Sequence, residues 1–525
     1  MRVDVQRLLD PAAYPHPTRG IHLIETHISW VILTGDYVYK VKKPCDLGFL
    51  DFSSLDKRHA CCLEEVRLSG RFAPELYLGV VPITGSPAAP RVDGPGPAFE
   101  WAVKLRQFDE ACRLDRIFAD HRLSSEDCGR LGAEIAAVQT RLAIAAASAP
   151  LGTAQAVGDA VRLNLAQLRA ARPDTRACDM YLEDWLDGRL AAVGPAIERR
   201  RAAGRVRECH GDLHLANIVL HEGRMMPFDA IEFSESLRWI DVASDIAFLA
   251  MDLHSRGRPD LAAQVVSGWI EAADDHDAAS VLPVYKVYRA IVRAAVAAIR
   301  CTQAAGDRAA QDAARAETDR YLELAEHLTQ PRRPVLYATS GISGSGKTTV
   351  AAAIVGGCEA VRLRSDVERK RLFGMAGTDR PHDAAHAESL YDPATTAKVY
   401  DRLAALSHTL LAAGASVVVD AAANLRGQRD TIAAVASAAG VPIVWLDFDL
   451  PAEAVLARVA ARQAAGTDAS DATADVVRAQ IAAREPITAA ELAATGAVAR
   501  RVRITAADLI DPTFMPRLLR DAAAG

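Results

Sequence analysis

Gly341-Ile342-Ser343-Gly344-Ser345-Gly346-Lys347-Thr348 matches GxxxxGK[ST] and follows an apolar run, Val335-Leu336-Tyr337-Ala338-Thr339, in the strand-loop-helix setting that pattern requires. Gly341, Gly344 and Gly346 let backbone N–H groups, those of Ser343 and Ser345 among them, converge on phosphate oxygens at the start of a helix through Lys347, Thr348 and Thr349. Lys347 supplies a charge to the β/γ oxygens and the Thr348 hydroxyl can hold Mg²⁺. The pattern therefore points to a nucleoside triphosphate, ATP with Mg²⁺. The plainer alternative is a glycine turn that only starts a helix.

A second constellation lies upstream in His210-Gly211-Asp212-Leu213-His214-Leu215-Ala216-Asn217. An Asp followed five residues later by an Asn suits a carboxylate that takes a hydroxyl proton and an amide that holds Mg²⁺. Twelve residues beyond Asn217, the run Met225-Met226-Pro227-Phe228 ends in Asp229, where a second metal ligand belongs. Asp212 and His210 as mere turn residues and caps is the rival reading.

This segment resembles the aminoglycoside phosphotransferase family, whose loop reads HGDxxxxN before an apolar strand and Asp. The resemblance implies a kinase site with a strand lysine over the phosphates and a helix glutamate holding it. Tyr37 to Lys42 offers Lys40 and Lys42 on one strand face, with Glu65 in the next helix. The family-like Tyr39-Lys40-Val41-Lys42-Lys43-Pro44 favours Lys40, while Lys42 has the same parity and stays open. Both could instead be basic residues on an exposed face. No GxGxxG precedes the lysine strand. His210 fits a prop for the loop, and Asp241 and Asp245 fit either an acidic pair bracing it or N-caps of the following helix.

In the second half Val417-Val418-Val419-Asp420 is an apolar strand ending in a carboxylate suited to the Mg²⁺ shell beside the phosphate loop. After the second strand, Asp366 could bind or deprotonate an acceptor hydroxyl and Arg369 could grip a polar or anionic one. Against this, Ser365 and Glu368 have capping-box spacing. Arg458 and Arg462 stand one turn apart before the loop Gly466 to Ala472, which resembles the arginine-bearing lid of gluconate kinase and polynucleotide kinase-like families. Arg462 could equally be a solvated helix residue.

The elements that must position these groups follow the same division. At 525 residues the chain exceeds one core of ~250–300 residues. Two strands are expected across 21–43, a helix across 53–71 and a strand across 99–108, the order of a kinase N-lobe, with helices on either side of the loop at 210–217. Gln330-Pro331-Arg332-Arg333-Pro334 breaks the helical pattern and sets the boundary, giving domains 1–330 and 331–525. Beyond it, strands near 335–339, 361–364, 417–420, 443–448 and 498–504 alternate with helices, as in a doubly wound parallel sheet. The fold class is thus an α+β protein-kinase-like bilobal domain followed by an α/β P-loop NTPase domain.

Net charge is −6, so no basic field recruits nucleic acid or anionic lipid. Nine scattered cysteines without CxxC spacing fit reduced thiols in the cytoplasm. The N-terminus lacks a signal-peptide layout and no stretch spans a bilayer. Over nearly its full length the chain resembles bacterial fusions of an aminoglycoside phosphotransferase-like domain with an AAA-type or zeta-toxin-like P-loop kinase. That implies an ATP- and Mg²⁺-dependent kinase acting on small-molecule hydroxyls of sugar, amino-sugar or aminocyclitol type. A polynucleotide-end or nucleotide-sugar kinase, supported by a basic strip at Arg362, Arg364, Arg369, Lys370 and Arg371, and a non-catalytic ATP sensor are the alternatives.

Overall fold

The structure is a computed structural model that describes residues 3–525 apart from 47–49, 173, 175, 305, 376–378, 380–388, 466–473, 497 and 524–525. Side chains at 176–177, 460–476 and 521–523 also lie outside the described set. The chain divides into two compact units. Unit 1 holds Met1–Ser124, Ala137–Asp252 and Arg289–Ala314, and unit 2 holds Ser125–Ala136, Leu253–Tyr288 and Arg315–Gly525.

In unit 1 six antiparallel strands form a sheet in the order β1-β2-β3-β6-β4-β5. They are β1 His22–Glu25, β2 Ser29–Leu33, β3 Tyr37–Lys42, β4 Tyr77–Ser86, β5 Ala89–Val92 and β6 Glu100–Arg106. Three strands stand where two were expected, because the Thr26 amide bonds the Ser29 carbonyl at 2.9 Å and closes an extra tight turn. The β4–β5 hairpin was not expected at all, since Gly79, Pro82 and Gly85 hide its alternation. Helix Leu55–Ser69 begins where Ser54 Oγ accepts from the Lys57 amide.

The hairpin of β8 Ile218–His221 and β9 Arg224–Pro227 turns through Glu222 (φ 48°) and Gly223 (φ 80°), a two-residue loop of the kind that matches strand twist. Its register pairs Ile218 with Pro227, so Asn217 and Phe228 face each other at its mouth, with the Phe228 amide on the Asn217 carbonyl at 2.9 Å. A local hairpin thereby joins the amide and the carboxylate that the sequence separates.

Unit 2 is built on five parallel strands in the order β12-β13-β11-β14-β15. They are β11 Leu336–Ser340, β12 Val361–Arg364, β13 Val417–Asp420, β14 Ile443–Phe448 and β15 Ala499–Ile504. All six residues of β14 are buried, as expected of a strand covered on both faces.

The packing departs from a single cut at residue 330. Helix Pro259–Ala273, upstream of the proline-flanked stretch, lies along edge strand β12. Ser267 Oγ accepts from the Arg362 amide at 3.0 Å, Gln264 Nε2 donates to the Ala352 carbonyl at 2.7 Å, and Glu271 Oε2 takes Arg364 Nε at 2.7 Å. An exposed strand edge needs such cover, and proline punctuation in the sequence cannot report it. Among the described residues no helix is long and apolar enough to cross a membrane, and all nine cysteines are free thiols.

Candidate active sites

In unit 1, β3 pairs with β2 and β6, which places Lys40 and Lys42 in the middle of the sheet on one face. Both reach Glu65 of helix Leu55–Ser69: Lys40 Nζ lies 3.0 Å from Oε1 and Lys42 Nζ 2.5 Å from Oε2. What separates them is the next carboxylate. Lys40 also contacts Asp229, whereas Lys42, 0% exposed, contacts Glu232. Lys40 is therefore the lysine beside the metal-ligand candidate, and Lys42 is a buried counter-ion beneath it.

Burial pushes the Lys40 ammonium pKa down, but Asp229, Glu65 and Glu232 together raise it well above the ordinary lysine value. Asp229 is held below the usual carboxylate range against burial by Lys40 first and then Lys42, while burial leaves Glu232 raised. Asp229 adopts φ 65°, a left-handed conformation that Asp tolerates better than most residues, and its amide donates to Tyr77 Oη at 3.0 Å. Glu232 and Tyr77 escaped the sequence reading. Only the three-residue offset of Glu232 from Asp229 could have signalled the first.

Asn217 Nδ2 donates to the Asp212 carbonyl at 3.0 Å and to Asp212 Oδ2 at 3.1 Å, so the candidate base and the amide ligand orient each other. His214 Nε2 lies 3.4 Å from the same oxygen. Burial would raise the Asp212 pKa, yet His214, Arg293 and His210 bring it below the ordinary carboxylate range. The group stays ionised at neutral pH.

His210 is buried and its pKa is lowered, chiefly by that burial. Its Nε2 bonds the Phe228 carbonyl at 2.8 Å and its Nδ1 accepts from the Asp212 amide at 3.3 Å, which fixes the neutral Nε2–H tautomer and leaves no nitrogen for proton transfer. It is a prop, as its sequence context suggests. Asp245 accepts from the His210 amide at 3.1 Å and the Gly211 amide at 3.0 Å and so braces the loop, whereas Asp241 pairs with buried Arg200 at 2.7 Å and accepts from the Ala243 amide. Asp245→Ala is expected to cost ~1–3 kcal/mol by orphaning two buried amides. Urea unfolding checks this, and a midpoint equal to the parent's would remove the bracing role.

In unit 2, Gly344 (φ 85°) and Gly346 (φ 94°) adopt backbone that side chains rarely take, and a Cβ on Gly344 would come within 2.6 Å of Val459. Lys347, opening helix Lys347–Cys358, holds the Ile342 carbonyl at 2.8 Å. Ser345 Oγ is buried without a hydrogen-bond partner among the described residues. An orphaned hydroxyl beside a helix N-terminus and a glycine-shaped cradle fit a polyphosphate.

Thr348 hydrogen-bonds Asp420, whose pKa is raised by burial against the opposing pull of Arg362 and Lys347. This hydroxyl and carboxylate fit a hard divalent cation, whose charge would offset the cost of burying the carboxylate.

Asp366 sits in the first turn of helix Ser365–Leu372 with its side chain exposed. The capping box does not form: the N-cap is Arg364, no side chain caps it, and Glu368 is buried against Arg371 and Arg402. Arg369 is engaged within the protein. It is buried, with Nη1 on the Leu390 carbonyl at 2.7 Å and Thr396 Oγ1 at 3.1 Å, and its guanidinium lies over Tyr391. Arg364 is tied to Glu271 and Arg371 to Glu368 and Asp274, so these members of the basic strip present no free charge. Asp274, His276 and Glu368 could by distance hold a cation, but Arg371 and Arg402 already neutralise the two carboxylates.

Arg458 lies half-buried on helix Ala452–Ala465, whose Val455 and Val459 pack against Gly344. The Arg462 side chain lies outside the described residues, as does the loop 466–472. Gln480, which the sequence reading passed over, accepts from the Ser343 amide at 2.7 Å.

Residues 336–487 match the family model described as an AAA domain. Uncharacterized proteins of Mycobacterium tuberculosis and Mycobacterium bovis are each 28% identical over 471 residues, covering 89% of this chain and 90% of theirs. A choline/ethanolamine kinase family protein from Mesorhizobium loti covers 62% of this chain and 99% of its own at 13% identity, TM-score 0.33. An APS kinase from M. tuberculosis, solved with AMPPNP and APS, covers 37% of this chain and 96% of its own at 20% identity, TM-score 0.25. The second half of the chain thus carries an AAA-type domain with its phosphate loop at the end of a parallel strand, and the first half sets the Lys40, Glu65 and Asp229 cluster on an antiparallel sheet.

Proposed function

We propose that the protein is an ATP- and Mg²⁺-dependent phosphotransferase with two nucleotide sites, each passing the γ-phosphate to a hydroxyl of a small molecule of sugar, amino-sugar or aminocyclitol type. The observation that carries this reading is the presence of both sets of polar groups in working order. Unit 1 joins Lys40, Glu65 and Asp229 to an ionised Asp212 oriented by Asn217, and unit 2 joins an open phosphate cradle to Thr348 and Asp420.

When bound, Mg-ATP supplies the transferable phosphoryl group. Asp212 takes the proton of the acceptor hydroxyl, Lys40 holds the phosphates in place under the control of Glu65, and Asn217 and Asp229 are the metal-ligand candidates. In unit 2, Lys347 and the loop amides hold the phosphates, Asp366 is the exposed carboxylate available to an acceptor, and Arg458 is a candidate for the transferring phosphoryl. The nine free thiols agree with a cytoplasmic setting.

A polynucleotide-end or nucleotide-sugar acceptor loses much of its support, because Arg364, Arg369 and Arg371 are already engaged. A silent ATP sensor has no missing phosphate or metal residue to motivate it.

Calorimetry with Mg-ATP tests the two-site reading. Two sites are expected in the parent, and Lys40→Ala and Lys347→Ala should each weaken one of them roughly 10–100-fold, as the loss of a charge-assisted bond predicts. One site in the parent would defeat it. A screen of sugars, aminoglycosides and oligonucleotides with labelled ATP then reads the acceptor class, and label appearing only on oligonucleotides would replace the small-molecule assignment.

A further inference from the structure

We propose that Gln480 is a positioning residue of the C-terminal site, with its carboxamide oxygen anchored on the phosphate loop and its Nε2 hydrogens donated to the terminal phosphate of a bound nucleoside triphosphate. The inference rests on the nucleotide site proposed above and names a residue of that site.

Ser343 is the third residue of the loop, and its amide donates to Gln480 Oε1 at 2.7 Å. A glutamine offers one acceptor oxygen and two donor hydrogens. With the oxygen engaged, Nε2 has no hydrogen-bond partner among the described residues, so two donors remain beside the loop. The anchoring is not incidental. Gln480 lies on helix Ala474–Ala483, and Val477 of that helix is fully buried in the same core as Ile342, Val455 and Val459. Residues three apart share a helix face, so the contact that seats the helix also aims Gln480 at the loop.

Three arginines of this unit are already committed to carboxylates. Arg484 and Arg501 are both bound to Asp447, at 2.7 and 2.8 Å, and Arg503 is bound to Asp449 at 2.7 Å. Lys347 supplies positive charge from within the loop itself. A neutral carboxamide adds directional donors for a terminal phosphate to the charge of Lys347 and of the candidate Arg458, and so favours a triphosphate over a diphosphate by geometry.

The test uses the full chain carrying Lys40→Ala, so that the C-terminal site dominates, titrated in Mg²⁺ with ADP and with a non-hydrolysable ATP analogue. Gln480→Ala is expected to weaken the analogue about tenfold and to leave ADP within about twofold. Gln480→Glu, which keeps an oxygen but brings a negative charge, should weaken the analogue further. Gln480→Met keeps most of the packing and guards against a folding defect, with thermal melting as the check.

Equal losses for ADP and the analogue would make Gln480 a structural strut and overturn the proposal, as would unchanged affinities. Tighter binding of the analogue would overturn it in the opposite direction, because the carboxamide would then occupy the place of a phosphate oxygen. No nucleotide binding in the Lys40→Ala parent would instead refute the C-terminal nucleotide site, a failure distinguishable from that of Gln480.

Discussion

Asp212→Asn is expected to lower phosphoryl transfer at the N-terminal site by ~10²–10⁴ while nucleotide affinity stays within a few-fold, since removing general-base help costs about that much and the base touches the acceptor rather than the nucleotide. The geometry makes the substitution a clean one. Asp212 Oδ2 receives Asn217 Nδ2 at 3.1 Å, and the Asp212 carbonyl receives the same group at 3.0 Å, so half of the orientation survives in the amide variant. His210 cannot substitute, because the Phe228 carbonyl and the Asp212 amide occupy both of its nitrogens.

The pH profile gives an independent check. The Asp212 pKa is depressed in the folded state, so whatever stability its ionised form contributes is present above the unfolded carboxylate pKa and is lost as pH falls through the lower folded value. Acid loss of transfer through this group should accordingly begin below the usual carboxylate range, not near neutrality. Measured in a Lys347→Ala background to remove the second site, unchanged turnover in Asp212→Asn would refute the role of the residue.

Much of this site was readable because its chemistry is local in the chain. The loop His210 to Asn217 and the phosphate loop Gly341 to Thr348 each carry their essential residues within eight positions, and every strand of the unit 2 sheet falls within one residue of the span expected for it. What stayed hidden depends on partners far away in sequence. Lys40 and Lys42 share a strand face, so parity could not rank them. Asp229 and Glu232, about 190 residues on, do so by taking one lysine each. Likewise Ser365 and Glu368 have capping-box spacing, but Arg402 offers Glu368 a charged partner worth more than an amide at a helix start, and the box is abandoned. Gln480 carries no motif at all and is significant only because its helix packs over the loop.

The same long-range dependence leads to the second large expected effect. A fragment comprising residues 331–525 should fail to accumulate as a soluble folded protein, whereas the full chain does. Proline punctuation at 331 and 334 makes the cut look clean, yet it removes Ser125–Ala136 and Leu253–Tyr288 from unit 2. Edge strand β12 would lose the helix that covers it, including the Ser267 hydroxyl on the Arg362 amide, and a bare edge invites pairing with other chains. Ala263 would leave the core that it shares with Val350 and Ile354. Arg364 would lose Glu271, and Arg371 and Arg402 would lose Asp274, which leaves buried Glu368 as their remaining carboxylate in the fragment. Since domains are stable by only ~5–15 kcal/mol, the bared strand edge and the loss of the apolar face of helix Pro259–Ala273 from the core, with partly exposed ion pairs adding only ~0–1 kcal/mol each, consume much of that margin. Size-exclusion chromatography and far-UV circular dichroism decide the matter. A monomeric, cooperatively melting 331–525 fragment that binds Mg-ATP as tightly as the intact chain would mean that the helix at 259–273 is dispensable cover, and that the division of this protein falls at its prolines after all.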